Sequence, residues 1–493
     1  LNMQRYVFFF LVLSLSIHNL FAQPNLPGLV DWNTLSSYII TSNSGTADSS
    51  EELTQLHKMA VYNQDTIIGV YKNSGGCYLS SFVQPHNILS VNPNTGAMTQ
   101  MLLPGKIARI QINNIDTIYD FSILKDTIFF VGMSCHSNLC SYCLGYTTIS
   151  ELTNINSTNP GVYYTCSMGQ NIVKKIKAFY DDNGLRHLVG IGSNSTSNIN
   201  SLLFDFSPIL LSSSFTNPNS NPILPSLPPV CINTTISLHD IAITDNFVTL
   251  VGHQYGSQDL YLLRKPKNSS NITIQRYDYS NNVSQIGHNP FYDNVLIRHT
   301  YNDEIVILLD AQKNQNNYNT YGLLVDCIDM STFTDIYKSN FIQIHEKNLI
   351  IRDAVYSNQD STLLILSNYG IKDSVQDETF IIHAKPYNNL STYECRHNTT
   401  SSPVFNAIDL YGNNKYAIFG ISEGGKGVNC FSLQKINSIT NCFDSFSVSV
   451  SQLDSIQYNE TTASPSSNLI NLSSLTPHQN LSTILFYFEC FSN

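Results

Sequence analysis

A chain of 493 residues could hold two or three average domains, although all-β rings and barrels use such a length as one unit. Only 12% of the residues are Asp, Glu, Lys or Arg, and the formal net charge is −11. No basic surface is on offer to nucleic acid and a polyanionic partner is disfavoured, so Asn, Ser, Thr and Tyr must wet the surface instead.

At the N-terminus, Met3 reads as the start, Arg5 as a positive end, and Tyr6 to Leu15 as an apolar core too short to span a bilayer. Leu20-Phe21-Ala22 precedes Gln23, so residues 1–22 read as a signal peptide and residues 23–493 as the mature domain. No later segment approaches eighteen uninterrupted apolar residues. The expectation is a secreted or cell-surface protein with no transmembrane segment once the leader is removed.

From Met59 onward one pattern recurs. Its clearest copy runs from Leu238 to Lys265: a short alternating strand opened by Asp240, a turn at Thr244-Asp245-Asn246, a return strand Phe247-Val248-Thr249-Leu250-Val251, and a third strand at Leu260-Tyr261-Leu262-Leu263. Setting Tyr71, Gly132, Gly192, Gly252, Asp310, Ser367 and Gly420 in register gives steps of 61, 60, 60, 58, 57 and 53 residues. The apolar positions alternate or run in short blocks, with no stripe at helical spacing. A three-strand meander cannot bury both faces alone, and near-equal steps of this length fit propeller blades better than helical solenoids. The predicted fold is therefore an all-β propeller of seven antiparallel blades closed into a ring, forming a single domain. Strand-like runs at Tyr38-Ile39-Ile40-Thr41, Phe446 to Val450 and Ile484 to Phe488 offer chain ends that could complete the first or last blade.

The eleven cysteines all follow the leader, and an odd number in an exported chain leaves at least one outside an internal pair. Cys430 and Cys442 could staple neighbouring strands. Cys135, Cys140 and Cys143 have a spacing that hints at a metal, with His136 alongside, but in an exported protein a disulfide with one cysteine left over is the stronger reading. Eleven Asn-x-Ser/Thr sequons include Asn156, Asn194, Asn233, Asn268, Asn271 and Asn398, and a chain this rich in Asn and Ser generates many by chance.

The blade sequences from Thr117 to Gly132, His239 to Gly252 and Ile351 to Leu366, behind a leader ending Phe21-Ala22-Gln23, resemble a group of uncharacterised, exported, propeller-like proteins of Bacteroidota. The resemblance covers about Met59 to Phe431 and implies a secreted or surface protein. It brings no known catalytic residues. It would make Asn-linked glycosylation unlikely, and would make Asp65, Asp116, Asp126 and Asp373 resemble O-glycosylation acceptors, although all four also read as turn-to-strand junctions.

In a propeller the first strand of each blade lines a central channel, so the residues opening the repeats converge. Here they are Asp120, His239, Asp240, Arg298, His299, Arg352, Asp353 and Asp409. Such a set could bind a cation or an acidic ligand, or supply an acid and a base; alternatively each Asp accepts amide hydrogen bonds and fixes its own blade. No nucleophile elbow, zinc-protease helix or phosphate loop is present, and no motif calls for a cofactor or a metal. Asp303-Glu304 reads as a hairpin turn. Neutral loops rich in Tyr and Asn suit a binding or scaffold module for protein or glycan, and Trp32 as the sole tryptophan tilts the balance towards protein. A propeller glycoside hydrolase or lyase using channel carboxylates is the alternative, and oligomeric state is left open.

Overall fold

The computed structural model describes strands and turns between residues 53 and 458; residues 1–52, residues 459–493 and parts of the connections between strands lie outside the described residues. The chain is all β, arranged as several small antiparallel sheets. In the first sheet β1 (Leu53–Val61), β2 (Thr66–Asn73) and β3 (Gly76–Val83) follow in order. A separate hairpin of β4 (Asn87–Val91) and β5 (Met98–Leu102) intervenes before β6 (Ile107–Gln111) joins β3. The second sheet holds β7 (Thr117–Leu124), β8 (Thr127–His136), β9 (Leu139–Thr148) and β10 (Tyr163–Cys166). The third holds β11 (Asn171–Tyr180), β12 (Arg186–Asn194), β13 (Leu202–Asp205) and β14 (Val230–Cys231). The fourth holds β15 (Ile236–Ile243), β16 (Phe247–Gln254), β17 (Asp259–Pro266) and β18 (Thr273–Asp278). In the fifth, β19 (Gln285–Ile286) and β20 (Val295–His299) both pair with β21 (Glu304–Gln315), followed by β22 (Tyr318–Asp329) and β23 (Thr334–Ile344). The sixth runs β24 (Leu349–Ser357), β25 (Thr362–Ile371), β26 (Ser374–Ala384), β27 (Tyr393–Asn398); the seventh runs β28 (Val404–Tyr411), β29 (Lys415–Ile421), β30 (Val428–Gln434).

The C-terminal segment then turns back along the sheets. β31 (Phe443–Phe446) pairs with β27, β32 (Val448–Leu453) with β23, and β33 (Ile456–Tyr458) with β18. The run expected at Phe446 to Val450 is thus divided between the sixth and fifth sheets, away from the first and last. The runs at Tyr38 and Ile484 lie outside the described residues. Each added strand covers an edge that would otherwise offer unpaired amides and carbonyls.

The apolar blocks are explained by burial on both faces. In β16 every residue from Val248 to His253 is buried, because the sheets stack face against face and neither surface of a central strand meets water. Successive sheets share apolar clusters. Ile68, Phe121 and Phe130 join the first to the second, and Val131, Leu144 and Phe204 the second to the third. Val189, Leu250 and Leu263 join the third to the fourth, Leu262, Tyr277, Ile307 and Leu324 the fourth to the fifth, and Leu308, Val325, Ile365 and Phe380 the fifth to the sixth. Contacts between first strands run from β1 to β7, β11, β15, β20, β24 and β28, and β28 also contacts β1.

The repeat has a physical cause that its sequence only hints at. The first strands carry a bulge, between Leu56 and Lys58, Ile118 and Asp120, Val173 and Lys175, Leu238 and Asp240, Ile351 and Asp353, and Phe405 and Ala407. The residue facing the start of each bulge is Tyr71, Gly132, Gly192, Gly252, Ser367 or Gly420, the positions that set the sequence register. Backbone crowding there favours glycine: a Cβ on Gly192 would stand 1.9 Å from the Ile172 carbonyl oxygen, and one on Gly252 2.7 Å from that of Ser237.

Turns also latch sheets together. Asp303, in the turn between β20 and β21, accepts from Thr244 Oγ1 at 2.8 Å, from the Asn246 amide at 2.8 Å and from Asn246 Nδ2 at 2.6 Å. The predicted turns at Thr244–Asn246 and before Glu304 are therefore one joint. Arg264 donates to the Met330 and Ser331 carbonyls and lies over the Phe247 and Phe333 rings, tying the same two sheets again.

Cys135 and Cys140 form a disulfide across the β8–β9 turn, as expected for the cysteine cluster. Cys143 is not left over as predicted: it too is disulfide-bonded, and its register partner on β10 is Cys166. Two adjacent strands place their Cβ atoms close enough for a bridge, which spacing along one chain does not reveal. Among the described residues Cys327 is a buried free thiol, while the Cys430–Cys442 pairing lies outside them. No helix of the described chain is long and apolar enough to cross a membrane.

Two measurements test these contacts. Gly192→Ala should lower the melting temperature by more than about 5 °C, since backbone must move to admit the methyl group, whereas Asn183→Ala in an exposed turn should change it little. The second concerns the buried pair in which the Tyr279 hydroxyl donates to Asp326. Burial, aided by the charge of Asp335, lifts Asp326 to about 7 against the pull of Tyr279, Ser339 and the Cys327 amide. A carboxyl with a raised folded-state pKa contributes stability that is complete below the unfolded value near 4 and is lost as pH rises through 7. The melting temperature of the wild type should therefore fall more steeply between pH 5 and pH 8 than that of Asp326→Asn; equal slopes would contradict the assignment.

Candidate functional site

Three bulges place Asp120, Asp240 and Asp353 against the neighbouring sheet, and Asp409, two residues past Ala407 at the end of its bulge, reaches the next sheet likewise. Asp120 accepts the amide of Phe121 in its own strand and that of Ile176 in β11, each at 2.9 Å. Asp240 accepts the amides of Ile241 at 3.0 Å and Ile297 in β20 at 3.1 Å. Asp353 accepts those of Ala354 at 2.8 Å and Ile408 in β28 at 3.0 Å. Asp409 accepts those of Leu410 at 2.8 Å and Val61 in β1 at 2.7 Å. One oxygen of each holds its own strand and the other holds the next. Ser122 adds a bond from the Ala178 amide, and Asp310, standing where most repeats have Gly or Ser, accepts the Ile351 amide at 3.2 Å.

Cations fill the space between these clasps. Lys58 Nζ lies 2.5 Å from Asp120 Oδ1 and donates to the Phe121 carbonyl. Lys175 pairs with Asp240 at 3.8 Å. Arg298 bridges two carboxylates, Asp240 at 2.7 Å and Asp353 at 2.6 Å, and donates to the Ala354 carbonyl. Burial would raise the pKa of Asp240, but the charges of Lys175, Arg298 and Lys177 and the Ile297 amide more than offset it and hold the carboxyl below its ordinary range. Burial likewise works against the Arg298 charge, and Asp240 and Asp353 overcome it.

Two groups depart from this balance. Lys177 has no ion pair among the described residues; burial and the Lys58 charge bring it down to about 8, against the opposing pull of Asp240 and Asp120. Asp409 is raised to about 6 by burial and by Asp353, although the Val61 and Leu410 amides and Lys58 pull the other way.

Of the residues expected to line a channel, Arg298 joins Asp240 and Asp353 through ion pairs, Asp120 pairs with Lys58, and Asp409 lies within electrostatic reach of Asp353 and Lys58. His239 is the extra residue of its bulge and stacks on His253, with ring centroids 4.6 Å apart, both rings buried. Burial and His239 push His253 down to about 3, so it stays neutral. Arg352, the extra residue of the next such bulge, directs its charge at buried Asp310. His299 sits at the end of β20, its Nε2 2.7 Å from the Asn302 carbonyl oxygen. Lys58 and Lys175 escape a reading that starts the first repeat at Met59 and the third at Lys177, and that reading passes over Lys177 itself. The available signal was position: Lys58 and Lys175 follow their bulges just as Asp120, Asp240 and Asp353 do.

Chemically the set is a compensated ionic network. A carboxylate that already accepts two amides and a cation is poorly placed to relay protons. Among the described residues no group of three or more His, Cys, Asp or Glu side chains is arranged to hold a metal ion. A separate open cleft of about 340 Å³ lies between the third and fourth sheets, lined by Asp181, His187, Asp205, Lys265, Lys267 and Asn268 among others. Within it Lys265 pairs with Asp205 and His187 Nε2 lies beside Asp181, each at 3.1 Å, while Lys267 donates to the Asp245 carbonyl.

No family model and no curated protein matches this chain. Among solved structures it is similar to a polysaccharide lyase, with 11% identity, 78% of this chain and 90% of that one covered, and a TM-score of 0.37. It is also similar to a putative 6-phosphogluconolactonase from Bacteroides uniformis, with 10% identity, coverage of 77% and 98%, and a TM-score of 0.35. An alpha-L-arabinofuranosidase from Podospora anserina, in complex with cellotriose, gives 10% identity, coverage of 56% and 92%, and a TM-score of 0.26. At these values none of the three transfers an activity to this chain.

If the carboxylates are structural, Asp240→Asn should lower the unfolding free energy by about 2–4 kcal/mol, because it leaves Arg298 half-paired among buried groups. Urea titration measures this, with the exposed turn variant Asp126→Asn, expected within about 0.5 kcal/mol of wild type, as the reference.

Proposed function

We propose that this chain is an exported, non-catalytic seven-bladed β-propeller that serves as a binding or scaffold module. The ring reading is supported by first-strand contacts that pass from β1 through β28 and return to β1, and by the bond from the Val61 amide to Asp409 that joins the ends of the series. The disulfide between Cys135 and Cys140 and the leader-like segment over residues 1–22 favour an oxidising compartment, either secreted or at the cell surface. Membership of the Bacteroidota group of exported propellers that the repeats resemble is part of the same proposal.

The single observation that carries the non-catalytic reading is the saturation of Asp120, Asp240, Asp353 and Asp409 by paired backbone amides. A glycosidase or lyase that used these carboxylates would need one to hold and release a proton beside substrate. Here their oxygens hold strands instead. Recognition then falls to the loops between strands, with a protein or a glycan as partner.

The test sets turnover against binding. Incubation with a panel of polysaccharides should release no product, while a glycan array or pull-down with the intact chain should yield a saturable partner. Release of product by wild type, abolished in an Asp240→Asn variant that still folds, would overturn the proposal in favour of a channel-carboxylate enzyme.

A further inference from the structure

The cleft between the third and fourth sheets stands apart from the first-strand clasps. Its volume of about 340 Å³ falls at the small end of the range of about 300–1,000 Å³ typical of small-ligand sites. Its walls are fixed by contacts within the chain. On one side Asp181 opens the β11–β12 turn and accepts the amides of Asn183 at 3.0 Å and Leu185 at 2.7 Å. Gly184, at φ 75°, closes that turn by donating its amide to the Asp181 carbonyl at 2.9 Å. His187 stacks on Phe179, with centroids 5.2 Å apart, and holds Nε2 3.1 Å from Asp181. On the other side, in the β17–β18 turn, Lys267 donates its amide to the Asn246 carbonyl at 3.0 Å and Nζ to the Asp245 carbonyl at 2.7 Å. Two contacts tie the walls together: Asn268 Nδ2 donates to Asp182 at 2.8 Å, and Lys265 Nζ lies 3.1 Å from Asp205.

The balance of charge selects the ligand. Two carboxylates, Asp181 and Asp205, stand against two ammoniums, Lys265 and Lys267, so the lining sums to zero with His187 uncharged. Such a lining gives an ion little advantage, and the net charge of −11 on the whole chain disfavours an anion further. Hydrogen-bonding capacity nevertheless remains. Each ammonium has three N–H donors, of which the described contacts engage one on Lys265 and one on Lys267. Asn268 uses its Nδ2 on Asp182 and keeps its amide oxygen. Ser269 Oγ accepts the Asn271 amide at 3.1 Å and keeps its own proton to give. Donors and acceptors set close together without net charge match a neutral polyhydroxyl ligand, because every hydroxyl both donates and accepts.

We infer that this cleft is a subsite for a neutral sugar residue of a glycan, whose hydroxyls accept from Lys265, Lys267 and the Asn183 side chain and donate to Asp205 and the Asn268 amide oxygen. No tryptophan platform is needed, since the contacts are made to hydroxyls and not to a ring face. The inference rests on the binding-module reading and deepens it by choosing a glycan over a protein.

A glycan array probed with the intact chain, followed by calorimetric titration of a captured oligosaccharide, tests it. The captured glycans should be uncharged, and affinity should change by less than about twofold between about 0.05 M and 0.5 M sodium chloride, because no net charge is neutralised on binding. Lys267→Ala and Asn183→Ala, each in a turn, should weaken binding by about fivefold or more while melting as wild type does, and Asp126→Asn in the second sheet should leave affinity unchanged. The two variants are independent, so if one failed to fold the other would decide. Capture of uronate, sulfated or sialylated glycans alone, with affinity that falls steeply as salt rises, would overturn the subsite. Neutral-glycan binding that Lys267→Ala and Asn183→Ala leave intact would overturn it as well. A saturable protein partner in a pull-down, with no glycan captured, would sink the sugar subsite and leave the binding-module reading standing.

Discussion

The structure depends on a carboxylate that holds two strands at once. A meander of three or four strands has two apolar faces and an inner strand with an unpaired edge. Stacking on the next meander buries the faces, as the shared clusters from Ile68 through Phe380 show, but apolar contact is non-directional and does not fix how far one sheet slides past another. The side chain of Asp120, Asp240, Asp353 or Asp409 does fix it, because its two oxygens are about two ångströms apart and each has a specified amide to reach. Between them Lys58, Lys175, Arg298 and Asp310 serve the junctions where the preceding strand has no such aspartate or needs a second tie.

That constraint explains why a protein with so little charge gathers acids and bases of its first strands in one region. Four acids and four bases of the first strands lie within electrostatic reach of one another, so the burial of each is offset by a neighbour, and lone buried charges are avoided. The same logic makes the region a poor candidate for acid–base chemistry.

The repeat was legible in the sequence because bulge geometry leaves a mark: glycine recurs where a Cβ would strike the opposing backbone, as at Gly192 and Gly252, and aspartate recurs at the bulge itself. The turns at Thr244–Asn246 and before Glu304 were legible from their residue types, but their union through Asp303 was not, since the two lie 57 residues apart. His239 and Arg352 were misplaced for one reason. An extra residue in a strand breaks the alternation of period two, so the neighbour of an aspartate at a bulge does not share its surroundings. The partners Lys58 and Lys175 were missed because a carboxylate and an ammonium at equivalent positions look unrelated until one is seen to bond the other. Nothing local announces that β31, β32 and β33 leave the last sheet for three earlier ones, because edge pairing is set by where the chain can reach.

Hydrogen exchange at the amides of Val61, Ile176, Ile297 and Ile408 bears most directly on the claim that these carboxylates weld separate meanders into one cooperative body. Each of these amides is bonded to a carboxylate of the preceding sheet. All four should exchange only through global unfolding, with a common free energy of opening, and Asp240→Asn should accelerate Ile297 first. Four unrelated opening energies, with Ile297 unaffected by Asp240→Asn, would show that the sheets are held by apolar stacking alone.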